Sequence, residues 1–144
     1  MSHEDRLSDP ARVVLKRRIE WIDTDAAGIY HWTTAFRLAE AAESVMHTAL
    51  GIADFTFGAT PRVAVSASFT HALRFNDLVD VALAVEAIGR TSVQYRLTIT
   101  ADSGPAVDGS LKACLIDRST GRAIPWPADV RERLAAGGLQ PGDR

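Results

Sequence analysis

Two hydrophobic periods share this chain, and one replaces the other between residues 50 and 63. Ala35, Leu38, Ala39, Ala42, Val45, Met46, Ala49 and Leu50 recur three and four residues apart. That spacing lines a single face of a helix. Past Pro61 the period drops to two, in Val63, Val65, Ala67 and Phe69, in Val79, Val81, Leu83 and Val85, and in Val93, Tyr95, Leu97 and Ile99. Alternation of this kind marks strands that press one face against a core. A further strand is expected over residues 107–117, after a turn at Ser103-Gly104-Pro105. Residues 12–22 alternate as well, with Val13, Leu15, Ile19 and Trp21 on the apolar side and Arg17 interrupting them. The pattern predicts an α+β chain: one strand, one long helix, then four strands. The linkers between those strands suit antiparallel neighbours joined by hairpins. A helix laid on such a sheet makes a layered domain, and the 144 residues here fit a single one.

Thr33 or Thr34 can cap the helix, since a threonine hydroxyl accepts from an unpaired first-turn amide. Gly51 stops it, because glycine takes the left-handed conformation that ends helices. Arg37, Glu40, Glu43, Ser44 and His47 are expected on the opposite, polar side. The apolar stripe is rich in alanine, so the helix can lie close to the sheet. A short terminal helix is expected over residues 128–136, with loose tails over residues 1–10 and 137–144. One helix leaves part of a five-stranded sheet bare, along with its edges. A second copy is therefore expected to cover them, in a homodimer or homotetramer.

Charge excludes one class of partner. Lys+Arg number 16 and Asp+Glu 18, without the basic excess that a nucleic-acid binder uses against phosphates. No run approaches the roughly 18 apolar residues that span a bilayer, so no membrane partner is expected. Cys114 is the only cysteine and lies in the apolar run Ala113-Cys114-Leu115-Ile116. It reads as a buried thiol with neither a disulfide nor a metal partner. The polar first ten residues lack the apolar stretch of a signal peptide, which points to the cytoplasm.

Chemistry concentrates where the first strand ends. Asp23-Thr24-Asp25-Ala26-Ala27-Gly28 is a turn-rich run, and Ile29-Tyr30-His31-Trp32 leads from it into the helix. This stretch resembles the 4-hydroxybenzoyl-CoA thioesterase family of hotdog proteins, in which a strand ends in an Asp-X-Asp-X-X-Gly run ahead of the central helix. Glu40 matches an acidic helix position of that family, and Arg74-Phe75-Asn76-Asp77 resembles its strand-to-strand turn. The likeness covers about residues 12–117. It implies the hotdog fold, an antiparallel five-stranded sheet wrapped around one long central helix. It also implies hydrolysis of an acyl-CoA or acyl-carrier-protein thioester, with no metal and no cofactor.

By the same resemblance Asp25 is the catalytic carboxylate, as nucleophile or as general base. The oxyanion donors are then backbone amides near His31 and Trp32. Elementary chemistry agrees. Thioester hydrolysis needs a carboxylate to attack the carbonyl or activate water, and a helix start offers unpaired amides at the positive end of its dipole. Gly28 allows a sharp turn and keeps bulk away from substrate. Arg90, within Gly89-Arg90-Thr91-Ser92, matches a family position that contacts the CoA nucleotide. Arg90, Thr91 and Ser92 are thus expected to bind substrate, with His71 and Arg74 as further candidates for that surface. Asp23 reads as a residue that shapes the turn. Two other functions stay open. One is a hotdog enoyl-CoA hydratase using Asp25 and His31, although the Asn-Pro segment usual between such a pair is missing. The other is a non-catalytic acyl-CoA or acyl-carrier binding protein.

Overall fold

A computed structural model describes residues 7–143 of the chain, so the first part of the expected N-terminal tail lies outside the described residues. Strand β1 (Arg12–Arg18) is shorter than its alternation predicts. Val13, Leu15 and Ile19 are buried, but the backbone then bends into a 3-10 turn at Trp21–Asp23 and leaves Trp21 74% exposed. The Asp23 carboxylate accepts the Glu20 N–H at 2.8 Å. A local bond of this kind competes with the strand ladder and ends it.

Helix α1 (Thr34–Ala49) follows, and neither threonine caps it through its hydroxyl. The Thr33 hydroxyl lies 2.7 Å from His31 Nδ1, and that of Thr34 donates to the Asp23 carbonyl at 3.3 Å. At the far end Gly51 adopts φ 75°. Its N–H reaches the Thr48 carbonyl and the Ile52 N–H reaches that of His47, the pair of bonds that closes a helix through a left-handed residue. Gly51 stops the helix as expected.

A single turn, α2 (Ala53–Thr56), precedes β2 (Arg62–Phe69), β3 (Leu78–Ile88), β4 (Ser92–Ala101) and β5 (Gly104–Cys114). All strands join one antiparallel sheet in the order β1-β3-β4-β5-β2. Strands β3, β4 and β5 are successive hairpin neighbours. Ala101 pairs directly with Gly104, so β5 begins and ends earlier than its apolar run suggests. Strand β2 departs from the neighbour rule. It pairs with β5, with Val65 opposite Leu111 and Phe69 opposite Val107, and lies at the opposite edge from β1. The chain must then cross from that edge to β3, and on the way the Leu73 carbonyl accepts the Tyr30 N–H at 2.7 Å.

The inner face of the sheet and the apolar stripe of α1 form the core: Ala35, Leu38, Ala39, Ala42 and Met46 are buried with Leu15, Val81, Leu83 and Leu97. Alanine at the contact lets the helix axis sit near the sheet. The expected polar side of α1 needs correction, because Glu43 and His47 are buried too. Glu43 receives two bonds from the Arg62 guanidinium, at 2.8 and 3.0 Å. His47 sits 2.7 Å from the Tyr95 hydroxyl and 2.6 Å from that of Thr56. Buried polar groups persist only when partnered, and these partners tie α1 to β2, β4 and α2.

Residues 137–143 are not a loose tail. Arg12 donates its N–H to the Gly138 carbonyl at 3.0 Å and accepts the Gln140 N–H at 2.7 Å, while Arg17 pairs with Asp143 at 2.6 Å. This segment shields the β1 edge, where unpaired backbone would otherwise invite another chain. Strand β2 has no such cover, and Val63 (55%), Val65 (51%) and Phe69 (43%) are exposed along it. The short helix α3 (Ala128–Ala136) has the predicted bounds. Cys114 is half-buried rather than buried. No helix among the described residues is long and apolar enough to cross a membrane.

Candidate active site

Between Asp23 and His31 the chain doubles back on itself. Thr24 and Tyr30 form an antiparallel bridge, Asp25 donates its N–H to Ile29 at 3.0 Å, and His31 donates its N–H to the Asp23 carbonyl at 2.7 Å. Gly28 makes the return at φ 78°, a conformation that costs other residues and is free to glycine. The two acids of the loop meet opposite surroundings. Asp23 is buried against Arg37, with Oδ1 at 2.6 Å from the guanidinium. Asp25 is exposed; its Oδ1 accepts the Ala27 N–H at 2.8 Å, and its other oxygen has no hydrogen-bond partner among the described residues.

An account of the amides beyond the loop isolates one donor. Tyr30 donates to Leu73, His31 to Asp23, Thr33 to His31 Nδ1 at 3.2 Å, Thr34 to the His31 carbonyl and Ala35 to the Trp32 carbonyl. The Trp32 N–H alone in this segment has no acceptor among the described residues. Of the amides near His31 and Trp32, that of His31 is engaged by Asp23 and that of Trp32 is left free. Oriented N–H groups at such a position stabilise a developing oxyanion.

Asp25 stands between two cavities. One, of about 540 Å³, is lined by Asp25, Ile29, Tyr30, Trp32, Phe69, Thr70, His71 and Ala72. The other, of about 350 Å³, adds His31, Thr33, Thr34 and Arg37 to Ile22, Asp23, Thr24 and Asp25. His31 therefore borders the acid's surroundings, with its Nδ1 taken by Thr33. Tyr30 packs edge-on against Phe69, with ring centroids 6.3 Å apart. Its buried hydroxyl finds no partner among the described residues, and burial raises its pKa. A larger cavity, about 700 Å³, lies elsewhere, along Arg37, Glu40, Glu43, Phe57 and Arg62. Glu40 borders that space, exposed and without a hydrogen-bond partner among the described residues. No group of three or more metal-binding side chains gathers among the described residues.

The structure separates the other candidates. The hairpin 89–92 is held by α3 and the segment before it: Trp126 donates from its backbone to Arg90 and from Nε1 to Ser92, and Arg131 donates to Gly89. The Thr91 carbonyl accepts the Leu115 N–H at 2.7 Å. Arg90 is exposed there, at one end of β4, while Asp25 shares a cavity with His71, which contacts Ser103 just past the other end. A strand of that length spans about 30 Å. His71 belongs with Asp25, not with Arg90, and its Nε2 is 2.7 Å from the Ser103 hydroxyl. Arg74 sits in the turn closed by Asp77, which accepts the Arg74 N–H at 2.8 Å. Sequence reasoning missed Phe69, Thr70, Ala72 and Arg37 as neighbours of the acid. No local pattern marks them, since the crossing of β2 and the pairing of Asp23 bring them in.

The sequence matches no family model and no curated protein. Solved structures do match. A predicted thioesterase from Bacillus stearothermophilus superposes with a TM-score of 0.80 at 23% identity, covering 92% of this chain and 100% of that one. A gentisyl-coenzyme A thioesterase gives 0.75 at 22%, over 85% and 99%. A complex of 4-hydroxybenzoyl CoA thioesterase with 4-hydroxybenzoyl CoA gives 0.75 at 20%, over 88% and 99%. The fold is the hotdog fold. In this hotdog chain the buried face of α1 shares one core with the sheet, and the Asp-Gly loop occupies the passage from β1 to the helix.

Proposed function

We propose that this single-domain hotdog chain is a cytoplasmic thioesterase that cleaves an acyl-CoA, or an acyl-carrier-protein thioester, into free acid and thiol. The observation that carries the reading is local: a solvent-facing carboxylate, Asp25, shares a cavity wall with Trp32, whose amide is the one unspent donor at the helix start. The thioester carbonyl oxygen accepts the Trp32 N–H, which favours the negative charge that forms there. Asp25 either takes a proton from a water that attacks the carbonyl carbon as the thiolate departs, or attacks that carbon itself, in which case the thiolate leaves an acyl-Asp25 anhydride that water then hydrolyses to the free acid. Trp32, Tyr30 and Phe69 give the cavity aromatic walls, which suit a flat acyl group, and two of the neighbours are thioesterases named for aromatic acyl-CoAs.

Assembly completes the reading. The bare edge and exposed Val63, Val65 and Phe69 of β2 support a homodimer or homotetramer. Arg90, Thr91 and Ser92 lie too far from Asp25 in one protomer to share its ligand, so their proposed contact to the carrier comes from a second copy. The test of hydrolysis is release of free thiol from short, long and aromatic acyl-CoAs, with aromatic ones favoured. Binding without release from any of them leaves a non-catalytic acyl-CoA protein. His31 at the same cavity as Asp25 favours hydration as the second reading, and loss of enoyl absorbance from crotonyl-CoA without thiol release identifies it.

A further inference from the structure

Asp23 joins three segments that the proposed chemistry needs held together. Its side chain is 3% exposed. Oδ2 accepts the Glu20 N–H at 2.8 Å, and Oδ1 accepts from the Arg37 guanidinium at 2.6 Å. The main-chain oxygen accepts the His31 N–H at 2.7 Å and the Thr34 hydroxyl at 3.3 Å. The end of the first strand, the start of α1 and its first turn all meet at this residue.

The placement of those bonds decides the geometry of the site. Asp25 lies two residues past Asp23 on one arm of the loop, and Trp32 lies one residue past His31 on the other. The bond from His31 to Asp23 is the last rung between the arms before Trp32. It also consumes the His31 amide, so that only the neighbouring donor stays free. Loss of that rung would free the His31 amide beside that of Trp32 and change the distance from the acid to both.

We propose that Asp23, anchored by Arg37, is a positioning residue that sets the separation between Asp25 and the Trp32 amide. The proposal rests on the thioesterase reading. Asp23 does not touch substrate, because both of its carboxylate oxygens are engaged within the protein. A buried carboxylate with every partner supplied holds a single geometry, since breaking one bond leaves a desolvated charge. Precision of this kind matters to rate: a displacement of about 1 Å at a reacting centre costs up to about a hundredfold.

The experiment compares wild type with Asp23→Asn, Arg37→Met, the double variant and Arg37→Lys on one acyl-CoA, at a temperature where circular dichroism shows each folded. Asp23→Asn and Arg37→Met each lower kcat at least about tenfold and leave KM within about twofold. The double variant falls no further than the worse single one, because the two side chains act as one unit. Arg37→Lys keeps the charge and recovers most of kcat. Should Asp23→Asn fail to fold, the Arg37 variants decide alone, since that side chain is 48% exposed and its loss leaves the core intact. Unchanged kcat in the folded variants reduces Asp23 to a turn residue and overturns the proposal. So does a rise in KM with kcat preserved, which makes Arg37 a substrate contact. A wild type that hydrolyses no thioester removes the thioesterase reading and the proposal together, whereas an active wild type with unaffected variants removes the proposal alone.

Discussion

Asp23 and Asp25 are separated by Thr24 alone and face opposite media, the first buried against Arg37 and the second exposed at a cavity. The run that holds them is contiguous, so the position of Asp25 was legible without coordinates. The partners of Asp23 were not, because Glu20, His31 and Arg37 meet it only after the loop has closed. Tyr30 poses the reverse case, a hydroxyl buried with no partner among the described residues. Removing an unsatisfied buried donor relieves a desolvation cost. Tyr30→Phe is expected to leave stability unchanged or raise it by up to about 1 kcal/mol in urea unfolding, and a loss of that size would reveal a partner for the hydroxyl. Arg90 is exposed on its hairpin. As a contact to the carrier phosphate it binds ground and transition states alike, so Arg90→Ala should raise KM for an acyl-CoA while kcat holds. A fall confined to kcat would assign Arg90 another role.

At the scale of elements, helix α1 shows how far periodicity reaches. Its apolar stripe and its stop at Gly51 followed from spacing and residue type. Glu43 and His47 did not, because the residues that bury them come from β2, β4 and α2. Thr56 donates to the Ile52 carbonyl at 3.1 Å, so it accepts from His47 Nδ1–H, and the Tyr95 hydroxyl donates to Nε2. That chain satisfies a neutral imidazole. Burial lowers the pKa of His47 from its ordinary 6.5 to about 4, against a smaller raising effect of Glu43. Between those values the unfolded chain binds the proton that the folded one refuses. The contribution is therefore complete above about pH 6.5 and lost as pH falls toward 4, on the order of 3 kcal/mol in all. Urea unfolding at pH 7 and pH 4.5 should show this fall in wild type and a shallower one in His47→Gln. Equal slopes would place the proton elsewhere.

For the whole molecule, strand number and antiparallel character were legible, and the order β1-β3-β4-β5-β2 was not. A rule that joins consecutive strands puts β2 beside β3, yet β2 lies at the far edge beside β5. The tail was also read as loose, because short polar segments carry no sign of the edge they will cover. With the start of β1 covered by residues 138–140, the exposed apolar side of β2 is one surface open to a second copy. Light scattering at micromolar concentration should give a multiple of the 15.6 kDa chain, and Val65→Lys should shift it toward the monomer. A wild type that is only monomeric would remove the second copy and the shared carrier site with it.

The proposed chemistry belongs to the loop acid Asp25 rather than the helix acid Glu40, and kcat for Asp25→Asn beside Glu40→Gln on one hydrolysed acyl-CoA tests that assignment. Asparagine keeps the size of Asp25 and removes its charge. Asp25→Asn is expected to fold and to lower kcat at least about a hundredfold, and Glu40→Gln to stay close to wild type. A folded Asp25→Asn protein that still turns over at the wild-type rate, beside an inactive Glu40→Gln, would contradict that assignment and move the reaction to the large cavity along α1.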